Sequence, residues 1–278
     1  MATEVGQNTL LAALKELIGF GRTSLENVEK DVAKGGSLQE IVDKKIRPLF
    51  GLMSAGAKFF NSLGVKNQKE AEHLWEQFFQ NTDVRDNVEG LLQLEVEWDC
   101  FLKRLDVQMQ MSDTVLSQCP AAQTLSSDTQ FIHIQTKENV SLDHLTELKN
   151  SKKLLEAQSL RVLVVSYGSL EGATFWLDHT GYEFDMLLDA ERAVYQAFGL
   201  GSSISKVMKF KLMLHYSEIL VMNRQLPDVP PQFIDDLFQM GGDFVLDQGG
   251  KVIYSYRCRS PVDRPSVTQI LAAVSAHS

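Results

Sequence analysis

The side chains able to do covalent or redox chemistry are few and scattered. There are three cysteines, Cys100, Cys119 and Cys258, and no Cys-x-x-Cys occurs anywhere in the chain. Thiols this sparse make no disulfide framework. Cys258 stands between Arg257 and Arg259, cations that would favour its thiolate. Its other reading is a small apolar filler at a strand end. Cys100, next to Trp98 and Phe101 in a helical stretch, reads as core. Cys119, before Pro120, reads as exposed, and a Cys119–Cys258 pair is a further redox candidate. Six histidines show no HxxxH or CxxH spacing, so no metal site is expected. Gly199-Leu200-Gly201 follows a helix, whereas a phosphate loop follows a strand and opens a helix, so no nucleotide cofactor is expected either. Ser169 lies where an apolar run, Arg161 to Ser166, gives way to a turn and a helix. Its hydroxyl suits an N-cap, and no base stands beside it in sequence.

The elements that must position these groups change character near residue 120. Before it Pro48 is the only proline and the periodicity is helical. Leu10, Leu11, Leu14, Leu17 and Ile18 form an amphipathic stripe. Gly35-Gly36 breaks it, and Ser37 with Glu40 reads as a capping box. A second helical run, divided or kinked at Pro48, extends to Leu63 and closes at Gly64. A third helix spans about Gln68 to Gln80, with Leu74, Trp75, Phe78 and Phe79 as its apolar face. A fourth starts near Asp83 and carries Val88, Leu91, Leu92, Trp98, Phe101, Leu102 and Leu105. The short breaks favour antiparallel neighbours, so residues 5–117 read as a four-helix bundle.

After the polar stretch Cys119–Asp128 the periodicity becomes mixed. Phe131–Ile134, Val162–Ser166 and Phe184–Leu188 read as strands. Ser141–Leu148, the stretch after Ser169, and Ala190 to Phe198 read as helices. The chain between Gly199 and Asp243 reads as irregular around Pro227, Pro230 and Pro231. Asp243–Asp247 and Lys251–Arg257 flank Gln248-Gly249-Gly250 as a hairpin, and Ser266 to Ala276 reads as a last helix. Alternation along the second hairpin strand places Cys258 on one face with Val252, Tyr254 and Tyr256. The expected organisation is α+β and two-domain. An all-helical bundle at 1–119 is followed by a linker at 120–127 and an α/β domain at 128–278.

Of the 278 residues, 44% are hydrophobic and 23% charged, with a net charge of −9. That balance excludes a general nucleic-acid binder, which needs a basic face. No apolar run reaches the ~18–20 residues of a membrane span. The N-terminus lacks the basic start and apolar core of a signal peptide, so the expected location is the cytoplasm.

Three strings carry a family resemblance. They are the strand–turn–helix 161–177, the string Met186-Leu187-Leu188-Asp189-Ala190-Glu191-Arg192-Ala193-Val194-Tyr195 continuing to Phe198-Gly199-Leu200, and Gly241-Gly242-Asp243-Phe244-Val245-Leu246-Asp247 with Arg257, Pro261, Asp263, Arg264 and Pro265 behind it. With the order strand–helix–strand–helix–hairpin–helix, residues 128–276 resemble the peroxiredoxin-like AhpC/TSA branch of the thioredoxin superfamily, and within it the selenoprotein-L-like group. The resemblance implies a thioredoxin-like domain with a Cys or selenocysteine at the turn after the first core strand. There, helix N–H groups and the helix dipole would stabilise the thiolate or selenolate. Carried over, the redox-motif positions fall on Ser169 and Gly172. Gln239–Asp243 also lacks the proline that shapes the substrate groove of thioredoxins. Two readings follow. In one the domain is redox-silent, a binding or regulatory module with an unidentified protein partner on the helical half. In the other the protein is an active thiol- or selenol-dependent antioxidant oxidoreductase, reducing peroxide or disulfide, whose native Cys or selenocysteine at 169 is replaced here. A third option is a helical scaffold that the second domain only stabilises.

Overall fold

The protein is described by a computed structural model over residues 6–124, 132–134, 142–180, 184–222 and 236–276. Pro227, Pro230 and Pro231 lie outside these residues, as do Phe131 and the end of the expected linker. The chain divides into two compact units, Met1–Met109 with Met208–Asp228, and Gln110–Val207 with Val229–Ser278. Among the described residues no helix is long and apolar enough to cross a membrane.

In the first unit the helix Gln7–Ala33 buries Leu10, Leu14, Leu17 and Ile18. It stops at Gly35 and Gly36, whose φ values of +79° and +139° suit residues without a Cβ. Ser37 accepts the Glu40 N–H at 3.2 Å. The reciprocal half of the expected capping box is replaced, because the Glu40 carboxylate lies 3.9 Å from Lys45 Nζ. Pro48 divides the next run as expected. A π-helical turn Ile41–Lys45 and a 3₁₀ turn Arg47–Phe50 precede the helix Gly51–Leu63, which Gly64 ends in the left-handed region. The helix Gln68–Gln77 is capped by Asn67 and is shorter than its pattern suggested. Only Ala71 is fully buried in it, and Phe79, beyond its end, is exposed.

The helix Thr82–Gln108 buries Val88, Leu91, Trp98, Phe101, Leu102 and Leu105. Cys100, expected in the core, is exposed, and so is Leu92. Cys100 stands roughly 200° around the helix from buried Trp98. A further helix, Phe210–Val221, comes from the stretch read as irregular and packs on Gly51–Leu63. Gly56 permits that packing, since a Cβ there would lie 2.8 Å from Leu214 Cδ2. Trp98 Nε1 donates to the Met208 carbonyl at 2.9 Å, and the Asp99 carboxylate accepts the Phe210 N–H at 2.9 Å. An indole N–H and a first-turn N–H are thereby satisfied away from water.

Among the described residues the second unit holds five strands. They are β1 Ile132–Ile134, β2 Leu163–Ser166, β3 Asp185–Leu188, β4 Gly242–Leu246 and β5 Val252–Arg257. β3 is central to a three-stranded sheet, antiparallel to β1 and parallel to β2, and β4 and β5 form the antiparallel hairpin. The pleat of β2 sends successive residues to opposite faces. Val164 joins Met186 of β3 and Leu145, Leu148, Trp176, Val267 and Ile270, which come from the helices Leu142–Asn150, Leu170–Thr180 and Val267–Ser275. Val165 packs with Val194, Phe198 and Leu200, where Phe198 and Phe244 stack with centroids 4.0 Å apart. A register shift between Val245 and Leu246 pairs Leu246 with Val252 and leaves Ile253 unpaired. This bulge corrects the expected alternation. Val252 packs with the Phe198 cluster while Tyr254 packs with the Val164 cluster.

Gly56→Ala is expected to lower unfolding stability by ~1–3 kcal/mol, because the added methyl must push the Phe210–Val221 helix away. Chemical denaturation followed by circular dichroism checks this, with Gly19→Ala, whose Cβ would meet nothing within 4 Å, as the harmless comparison.

Candidate functional site

β2 ends at Ser166, and the chain turns through Tyr167 and Gly168 before the helix Leu170–Thr180 begins. Gly168 has φ +99°, a conformation costly to any residue with a Cβ. That turn delivers Ser169 to the helix N-terminus. Its Oγ accepts the Gly172 N–H at 3.0 Å, and its carbonyl accepts the Ala173 N–H at 3.0 Å. Positions 169 and 172 are thus joined by a capping hydrogen bond, with Ser169 exposed and Gly172 buried. Glu171 in the first turn suits the positive end of the helix.

A polar network surrounds this turn. The Tyr167 hydroxyl donates to the Asp236 carbonyl at 2.6 Å, and the Arg192 guanidinium lies 4.5 Å from the centre of the Tyr167 ring. Tyr195 meets the same ring edge-on at 5.3 Å and donates its hydroxyl to the Val165 carbonyl. Arg192 Nη1 donates to Asp236 Oδ2 at 3.1 Å and to Gln239 Oε1 at 3.3 Å. Ser202 donates its hydroxyl to the Asp236 carboxylate. Gln239 donates to the carbonyls of Leu200 and Met240.

Arg192 has φ +55°, a left-handed conformation uncommon for a residue with a side chain. Asp189 stabilises it locally. Its carbonyl accepts the Arg192 N–H, and its buried carboxylate accepts the N–H groups of Ala193 and Val194 at 2.8 Å each. The helix therefore starts at Ala193, three residues after its expected start, because Asp189 caps it from outside. Asp189 and Arg192 stood in the family-like string, but no role had been read for either. The signal available was an Asp three residues before an Arg at a strand-to-helix junction.

Cys258 belongs to a different cluster. Its side chain is 3% exposed, and its N–H donates to the Gly241 carbonyl. Burial pushes the thiol up to about 12, and Arg264 offsets only part of that. Arg257 and Arg259, the cations expected beside it, are engaged elsewhere. Arg257 donates to the carbonyls of Ser117 and Cys119, and Arg259 pairs with Asp263 at 3.1 Å. Strand alternation turns Arg257 to the opposite face. Nearby, Asp243 is held by His144 Nε2 at 2.8 Å and Arg264 Nη1 at 3.1 Å. Burial raises the Asp243 carboxyl, but His144 and Arg264 outweigh it and hold it below the ordinary aspartate value. Cys119 is exposed with Sγ 3.6 Å from the Val115 carbonyl, and all three cysteines are free thiols. Among the described residues no group of three or more His, Cys, Asp or Glu converges to hold a metal ion.

Residues 147–260 match the family described as AhpC/TSA antioxidant enzyme. The matched stretch contains Ser169, Gly172, Arg192, Asp243 and Cys258, and the match supports a peroxiredoxin-like protein of the thioredoxin-fold kind. No curated protein and no solved structure matches the chain.

A thiol reagent at neutral pH is expected to label Cys100 and Cys119 and to leave Cys258 unmodified until the chain is unfolded, because burial keeps Cys258 protonated. Mass spectrometry of the labelled peptides reads the result. Asp243 titrates lower when folded, so its contribution to stability is present above its unfolded pKa and is lost as pH falls through the folded one. Asp243→Asn is therefore expected to cost ~2 kcal/mol at neutral pH and to flatten the stability profile below about pH 4, measured by denaturant titrations across that range.

Proposed function

We propose that this chain carries a peroxiredoxin-like domain related to the selenoprotein-L-like group, redox-silent as written, which acts as a binding or regulatory module. Ser169 and Gly172 are taken as the positions of the redox motif. The observation that carries the reading is the 3.0 Å hydrogen bond from the Gly172 N–H to Ser169 Oγ. A helix-terminal N–H that would stabilise a thiolate or selenolate is here spent on a neutral hydroxyl. Among the described residues no base hydrogen-bonds that hydroxyl. The buried, high-pKa thiol of Cys258 is read as a packed side chain, not as a resolving partner. The polar frame of Tyr167, Arg192, Asp236 and Gln239 remains assembled around the turn, which favours recognition over residual chemistry. The helical unit is proposed as the part that meets a protein partner.

The test is hydrogen peroxide consumption with excess dithiothreitol, measured for the unaltered chain and for Ser169→Cys. The unaltered chain is expected to stay at the rate of dithiothreitol alone. Ser169→Cys is expected to turn over at least ~100-fold faster than that, a gain within what positioning and an activated nucleophile supply. Thiol-dependent turnover by the unaltered chain would overturn the redox-silent reading. An inert but folded Ser169→Cys would overturn the assignment of residue 169.

A further inference from the structure

The helix Thr82–Gln108 carries a second stripe on the side away from its core. At about 100° per residue, Leu92 and Cys100 point within about 40° of Val96, and Glu89 and Lys103 within about 20°. Buried Leu94, Trp98 and Leu105 lie about 160–180° from that direction. Leu92 is 50% exposed and Val96 56%, and Glu89, Cys100 and Lys103 are exposed as well. Charges beside the stripe are engaged within the chain. Arg104 pairs with Glu29 at 3.0 Å, and Glu97 accepts from the Gln93 amide at 2.9 Å. Among the described residues Glu89 and Lys103 form no salt bridge, and Lys103 only contributes to the field on Asp99.

The spacing of the stripe selects its occupant. Glu89, Leu92, Val96, Cys100 and Lys103 follow at intervals of 3, 4, 4 and 3 residues. The pattern reads the same from either end, with opposite charges at its two ends. A two-fold axis at Val96 therefore lays an antiparallel second copy on this face. Val96 meets Val96, each Leu92 meets Cys100 of the other copy, and each Glu89 meets Lys103. Farther out, Arg85 and Val107 are equally distant from Val96, so the arginine stem covers a valine that is 71% exposed. Parallel packing would instead set Glu89 against Glu89 and Lys103 against Lys103, which like charges disfavour. A face that is its own antiparallel complement is what an isologous contact requires.

We infer that this chain forms a two-fold dimer through the outer face of the helix Thr82–Gln108. The inference names a second copy as the partner proposed for the helical unit and to that extent rests on that reading. The state of residue 169 does not bear on it, so its failure would leave the redox-silent reading untouched. One helix pair makes a small interface, so a dissociation constant on the order of 10–100 μM is expected.

Sedimentation velocity of the full chain, from about 5 μM to about 1 mM to bracket that constant, tests it. A monomer–dimer equilibrium is expected. Val96→Glu, which sets two carboxylates on the axis, is expected to weaken it at least ~10-fold. Glu89→Lys and Lys103→Glu are each expected to weaken it several-fold. The double swap Glu89→Lys/Lys103→Glu, and an equimolar mixture of the two single variants, are expected to restore it. Leu92→Cys, oxidised with glutathione disulfide, is expected to give a dimer joined by a 92–100 disulfide, identified by peptide mass spectrometry. Within one helix those positions are roughly 12 Å apart, too far to bridge, so the link reports a second copy. A chain that stays monomeric throughout the range overturns the proposal and leaves the face to a different partner. So does a dimer indifferent to the single charge changes, or a folded double swap that remains as weak as the singles. Should Val96→Glu fail to fold, the charge variants and the crosslink decide, and absence of the 92–100 link overturns the placement of the axis.

Discussion

The pleat of β2 is the constraint on which the second unit depends. Val164 and Val165 are neighbours in sequence, yet one belongs to the cluster around Met186 and Trp176 and the other to the cluster around Phe198 and Phe244. Four residues of strand thereby anchor two hydrophobic layers. Their parallel pairing with β3, Val164 opposite Met186 and Ser166 opposite Leu188, sets where the strand ends. Buried apolar pairs on both faces resist any slip in register, because a shift of one residue would exchange the two layers. The turn at Gly168 and Ser169 is placed by that register and not by its own composition.

Around the turn, almost every polar group is committed to another part of the protein. Arg192 is occupied by Asp236, Gln239 and the Tyr167 ring, and Asp189 by the start of the helix Ala193–Ala197. A network closed in this way holds its members in single geometries. On the proposed reading it frames the turn where a reactive residue would stand, and that turn carries a serine whose hydroxyl caps a helix. The proposed binding role rests on that contrast between a kept frame and a chemically quiet residue.

Much of this was legible in residue types and spacing. Leu10, Leu14, Leu17 and Ile18 bury as their stripe requires, Gly64 ends its helix, and Pro48 divides its run. The hairpin was readable from Gln248-Gly249-Gly250, and the N-cap from Ser169. What failed did so for physical reasons. Cys100 was assigned to the core by its neighbours Trp98 and Phe101, but adjacent residues on a helix face different directions. Val252 changed face because a bulge interrupts strict alternation, and nothing local marks Ile253 as the extra residue. The helix Phe210–Val221 carries the buried stripe Phe210, Met213, Leu214 and Ser217, a helical signal present in the sequence beside the proline-containing stretch. Its stability comes from Gly56 and Leu214 in contact and from the Asp99 cap.

By itself the sequence determined several local events: the caps at Ser37 and Ser169, the helix end at Gly64, and that residues 169 and 172 carry no thiol. Those depend on backbone sterics and capping, which act over three or four residues. The tertiary structure decided everything that requires distant partners. It engaged Arg257 and Arg259 away from Cys258 and buried that thiol among Asp243 and Arg264. It also brought Asp236 and Gln239 onto an arginine more than forty positions earlier. Charges and hydrogen bonds act through space, and only the folded chain says which of them meet.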